Sequence, residues 1–141
     1  MSFLGEYQHN IDDKGRLAVP VKFRERLAHG AVVTRGLDAS LFLLPVEEWG
    51  KLTEKIASLP LGQANARAFA RLMLAGAMDI SLDQQGRFIL PEFLRSYAGL
   101  RKNVTIVGVH SRLEIWDTDA WNTYREKTES SAGAIAEEMG I

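Results

Sequence analysis

A chain of 141 residues is long enough for one compact domain or two small halves sharing a core, and too short for two large independent domains. Its 46% hydrophobic and 25% charged residues, with a formal net charge of -1, fit a folded globular protein and exclude wholesale disorder. Cysteine is absent, which excludes disulfides, thiolate metal sites and a cysteine nucleophile, and no apolar run nears the roughly 18 to 20 residues of a membrane span.

In chain order, EYQHNI (Glu6 to Ile11) and RLAV (Arg16 to Val19) read as short strands around Asp-Asp-Lys-Gly, where Gly15 supplies the positive φ of a hairpin loop. Pro20 suits the first helical position, and a short helix VKFRERLA should end near Gly30. Strands AVVTR and LFLL come next. A helix from Val46 to Ser58 carries Val46, Trp49, Leu52 and Ile56 on one face, and a second, Asn65 to Leu74, is predicted to pack Phe69, Leu72 and Met73 internally. The order then starts again. MDISL (Met78 to Leu82) and RFIL (Arg87 to Leu90) flank a second turn hinged at Gly86, followed by Pro91, the helix EFLRSYA ending near Gly99, and strands VTIVG and LEIW. A last helix covers Ala120 to Thr128, and the tail from Ser130 is predicted to fray.

The chain is therefore a tandem repeat. Asp12, Gly15, Arg16, Pro20 and Arg24 return as Asp83, Gly86, Arg87, Pro91 and Arg95, and after one inserted residue Gly36, Leu41, Leu43 and Trp49 match Gly108, Leu113, Ile115 and Trp121. The division expected is a first repeat over 5–51, a helical connector over 52–76, a second repeat over 77–123, and a C-terminal helix and tail over 124–141.

The repeated Asp-x-x-Gly-Arg, three apolar residues, Pro, then Arg four residues on, resembles the signature of the AbrB-like swapped-hairpin DNA-binding fold. Two copies, with the following Leu-Phe-Leu-Leu-Pro and Leu-Glu-Ile-Trp-Asp segments, resemble the MraZ family of bacterial transcriptional regulators over nearly the whole chain. The resemblance implies an α+β protein in which two halves interleave their hairpins into one β-barrel with flanking helices. It further implies a ring-shaped homo-oligomer that represses from direct repeats upstream of the division and cell-wall gene cluster.

The partner so implied is double-stranded DNA, and local charge says which repeat meets it. Lys14, Arg16, Lys22, Arg24 and Arg26 face the single acid Glu25, while acids gather at Glu126, Glu129, Glu137 and Glu138. Lys14, Lys22 and Arg26 have Gln85, Phe93 and Tyr97 as counterparts, so the first repeat is read as the DNA face. Arg16 is the candidate base reader, because its planar fork can meet guanine bidentately, and Asp12 is read as orienting it. Asp83 with Arg87 is read as an ion pair bracing a turn. His9, His29 and His110 lack ligand spacing, Asp12, Asp13 and Gly15 lack the rest of a calcium loop, and neither a nucleophile elbow nor a phosphate loop occurs. A non-enzymatic, cofactor-free, metal-free protein of the cytoplasm and nucleoid is expected, with an interaction oligomer lacking DNA readout as the alternative.

Overall fold

The computed structural model describes residues 2–141. The first half of the chain runs β1 (Phe3–Asn10), β2 (Arg16–Ala18), α1 (Val21–Arg24), β3 (Ala31–Arg35), β4 (Leu41–Pro45), α2 (Val46–Ala57) and α3 (Ala64–Ala75). The second runs β5 (Met78–Ile80), β6 (Arg87–Ile89), α4 (Glu92–Tyr97), β7 (Asn103–His110), β8 (Arg112–Asp117), α5 (Thr118–Ser130) and α6 (Ala132–Glu138). The protein is α+β, with antiparallel strand pairs.

The motif predicts two local hairpins, β1 against β2 and β5 against β6. The turns form as expected. Gly15 and Gly86 take φ of 77° and 73°, and their amides donate to Asp12 O and Asp83 O at 3.0 and 2.9 Å. The ladders differ, because each strand leaves the turn for a partner in the other repeat. β2 pairs β6, with Arg16 opposite Ile89, Leu17 opposite Phe88 and Ala18 opposite Arg87. β1 lies along β7 from Phe3 opposite His110 to Asn10 opposite Asn103, and β5 pairs β3. The result is a six-stranded sheet, β1-β7-β8-β4-β3-β5, and a separate β2-β6 ribbon. A hairpin of three-residue strands has too little surface to stand alone, and the exchange supplies the missing partner.

The main core fills the space between ribbon and sheet. Leu17, Val19, Phe88 and Leu90 point inward from the ribbon segments onto Val33, Leu41, Leu43, Ile106, Leu113 and Ile115, and Phe23, Leu27 and Leu94 close the ends. Each such aliphatic side chain stabilises the fold by about 1.5–3 kcal/mol. On the other sheet face α2 and α3 enclose Phe42, Leu44, Ile56 and Met73, so α3 packs internally as expected; the Thr34 hydroxyl donates to Met73 O at 2.5 Å. α5 covers the rest of that face with a cluster of Trp116, Trp121 and Tyr124, ring centroids 5.0–6.3 Å apart. Trp121 Nε1 and Arg125 Nη1 both donate to Glu6 Oε1, at 2.9 and 3.0 Å, tying α5 to β1.

Four expectations need correction. α1 stops at Arg24, because Leu27, Ala28 and Gly30 bond three residues back instead of four, and these tight turns drop Leu27 into the core. Pro20 and Pro91 are N-caps, one position outside the helices they were predicted to open. The C-terminal segment continues as α5 to Ser130 and then as α6, where fraying was expected. Gly36 is not the counterpart of Gly108: Val33 faces Leu43 as Ile106 faces Ile115, so Arg35 holds the position of Gly108. Both glycines are needed, for different reasons. A Cβ at Gly108 would strike the backbone of Phe3 and Leu4 in the crossing strand, and one at Gly36 would strike the Phe42 ring.

Candidate nucleic-acid interface

Each motif folds into the same bracket. The Asp12 carboxylate accepts the Lys14 and Arg16 amides on Oδ1 at 2.9 and 2.8 Å, and Arg16 Nε on Oδ2 at 2.7 Å. Asp83 accepts the Gln85 and Arg87 amides at 2.9 Å each and Arg87 Nε at 3.0 Å. Aspartate suits this position because its short side chain mimics a backbone turn. The hydrogen bond from the following arginine's amide is the main cause that holds both carboxyls below the usual carboxylate range, against the opposing effect of burial. Each arginine is thus held at Nε, on a side chain 30% exposed.

The antiparallel ribbon brings the two brackets together. Leu17 and Phe88 point into the core, so the alternate residues Arg16, Ala18, Arg87 and Ile89 point out. Arg16 and Arg87 therefore share one outward face, in diagonal register, and Ile89 stands 65% exposed opposite Arg16. Both arginines line one depression of about 360 Å³, with Asp79 and Asp83 also on its wall.

The other basic residues divide between two neighbourhoods. Lys22 and Arg26, one turn apart, lie over β1: Lys22 Nζ is 5.5 Å from the Tyr7 and Phe23 ring centroids, and Arg26 Cζ is 4.3 Å from that of Phe3. Arg24 turns the opposite way, donates Nε to Val19 O at 2.9 Å, and lies over Gly86. Lys14 is exposed at the tip of the first turn. The structure thus brings Arg16 to Arg87, which the sequence had set aside as a brace, and does not gather all five predicted cations at one point. The period-two pattern of RLAV and RFIL carried the outward direction of both arginines, but not that the two strands are neighbours.

Among the described residues, groups of three or more acidic or histidine side chains with metal-site geometry are absent. A cavity of about 560 Å³ lies between α2 and the β7–β8 turn, walled by Phe42, Leu44, Lys55 and Arg112, on the sheet face opposite the ribbon. Burial, and then the Arg24 guanidinium, push the His9 imidazole below its ordinary range, which favours a neutral ring. No helix among the described residues is long and apolar enough to cross a membrane.

The family model described as "MraZ protein, putative antitoxin-like" matches the chain twice, over residues 2–72 and 73–140. The chain belongs to the MraZ family. Relatives named "Transcriptional regulator MraZ" match almost end to end. The protein of Natranaerobius thermophilus is 50% identical over 137 residues, 97% of this chain and 96% of its own length. That of Syntrophomonas wolfei subsp. wolfei is 47% identical with the same coverage, and that of Acetivibrio thermocellus is 47% identical over 139 residues, 99% and 97%. The two matched segments of the MraZ model each contain one Asp–Arg bracket.

Proposed function

We propose that this chain is a sequence-specific DNA-binding transcriptional regulator that meets double-stranded DNA through the β2-β6 ribbon. The single observation that carries the reading is the shared outward face of Arg16 and Arg87. A two-stranded ribbon fits a major groove about 12 Å wide, and an arginine fork pairs bidentately with guanine O6 and N7. Ile89 beside Arg16 offers an apolar surface suited to a thymine methyl. Lys14, Lys22, Arg24 and Arg26 are the phosphate contacts of the proposal, and Arg87 joins Arg16 as a candidate reader.

The exchanged turns are an AbrB-like swapped-hairpin barrel fused within one chain, which keeps its partner at high effective concentration. The chain divides into a first repeat over 5–51, a helical connector over 52–76, a second repeat over 77–123, and a C-terminal helix and tail over 124–141. The chain acts in the cytoplasm, at the nucleoid, as a homo-oligomeric ring. Head-to-tail symmetry would present successive ribbons in one orientation, which suits repression from direct repeats ahead of the division and cell-wall gene cluster.

The test is binding to a fragment bearing those repeats, measured across a salt series. The parent should bind with a negative salt slope. Arg16→Ala should lose about 1–3 kcal/mol of affinity and relax base preference, and Arg87→Ala should do the same at a second position. An interaction oligomer without DNA readout would assemble normally and bind the repeats no better than a scrambled fragment.

A further inference from the structure

The two repeats hold each other's turns by a reciprocal device. In the first repeat, Arg24 donates Nε to Val19 O at 2.9 Å, while Val19 N donates to Gly86 O at 2.9 Å across the ribbon. In the second, Arg95 donates Nε to Leu90 O at 3.0 Å, while Leu90 N donates to Gly15 O at 2.8 Å. Each guanidinium thereby lies over the glycine of the opposite turn. A Cβ on Gly15 would stand 3.4 Å from Arg95 Nη2 and 3.5 Å from its Cζ, and a Cβ on Gly86 would collide with the Arg24 guanidinium.

The device is symmetric, but its consequences are not. Both turns lead into an arginine, Arg87 beneath Arg24 and Arg16 beneath Arg95, but the turn beneath Arg24 carries the neutral Gln84 and Gln85 whereas the turn beneath Arg95 carries Lys14. We infer that Arg95, although it belongs to the second repeat, is a positioning residue that holds the Lys14–Arg16 turn of the first repeat in its binding geometry. Gly15 sits between those two cations, and its carbonyl and its open face are both occupied from the Leu90–Arg95 side. A planar, delocalised group is suited to covering a glycine while Nε is committed to a carbonyl; a lysine ammonium can bond the carbonyl but has no flat group left to cover the glycine. The effect on DNA rests on the regulator reading above. The effect on the turn does not.

The full chain is tested as Arg95→Gln and Arg95→Lys. Amide exchange is followed without DNA at Lys14, Gly15 and Arg16, whose N–H groups all bond within the Asp12 bracket. In both variants these three amides should exchange roughly tenfold faster while those of β3 and β4 keep the parent rate. Affinity for the promoter repeats should fall roughly tenfold with the salt slope retained. Unchanged exchange at the turn overturns the inference, and so does an equal acceleration throughout β3 and β4, which would mark Arg95 as a general structural group. It is also overturned if Arg95→Lys restores affinity and Arg95→Gln reduces the salt slope by about one, the behaviour of a phosphate contact. A parent that does not bind the repeats refutes the regulator reading, and the exchange rates then still decide whether Arg95 holds the turn.

Discussion

Replacing Gly86 by alanine tests whether the repeats exchange strands. At φ 73° an alanine pays the left-handed penalty of about 1–2 kcal/mol, and at Gly15, with φ 77°, it pays the same. The surroundings separate the two sites. At Gly15 the new methyl meets Arg95 Nη2 at 3.4 Å, an ordinary contact, but at Gly86 it must displace the Arg24 guanidinium and break the bond to Val19 O. A hydrogen bond from a charged, partly exposed donor contributes about 1.5 kcal/mol, at the low end of its class. Gly15→Ala should therefore lose about 1–2 kcal/mol and Gly86→Ala about 3 kcal/mol. Urea denaturation at one fixed protein concentration measures both, since any self-association shifts the midpoint with concentration. With Arg24 already truncated in the double variant, the Gly86→Ala penalty should shrink to that of Gly15→Ala. Equal losses at the two glycines in the parent background would refute the contact between Arg24 and the second turn, and with it the crossed geometry.

Other outcomes follow from packing and charge. Met73 is fully buried, so Met73→Ala should lose about 2–5 kcal/mol and loosen α3, seen as a lowered melting temperature and faster amide exchange in 64–75; a loss under about 1 kcal/mol would mean that α3 does not rest on the sheet. Asp12 and Asp83 titrate below their unfolded value of about 3.9, so the stability they bring is complete above that pH and disappears as pH falls through their folded values. Asp12→Asn should flatten that acid limb of the urea-midpoint profile; an unaltered limb would count against the bracket. His9 is also depressed, so the unfolded chain takes up its proton first and stability should decline below about pH 6.5 until the folded ring protonates too. His9→Gln should remove that decline, and an unchanged profile would clear His9 of the role.

Local chemistry was legible in the sequence, and partnership was not. Gly15 and Gly86 announced turns of positive φ, and the stripe of Val46, Trp49, Leu52 and Ile56 announced α2, because both signals depend on neighbours a few residues away; only Val46, at the first turn, stays exposed instead of joining the packed face. The correspondence between β3 and β7 slips by one at Gly36 because a glycine match in one dimension ignores which residues face across each hairpin. α1 is shorter than its sequence predicts because the apolar spacing persists through Leu27 while the hydrogen bonds tighten after Arg24. That Arg16 and Arg87 share one ribbon face is not legible in the sequence, for a deeper reason. It is set by β2 finding β6 instead of β1, and nothing in either strand's composition states that preference.

The crossed ladders also impose an order in time. While the chain is being synthesised, β1 and β2 leave the ribosome before β6 and β7 exist, so the first half waits with bare edges until its complement is made. During that interval a neighbouring nascent chain offers the same complement. A shortened product ending before β6 would keep the first half's turn and cations but lack the strand that gives them their shape.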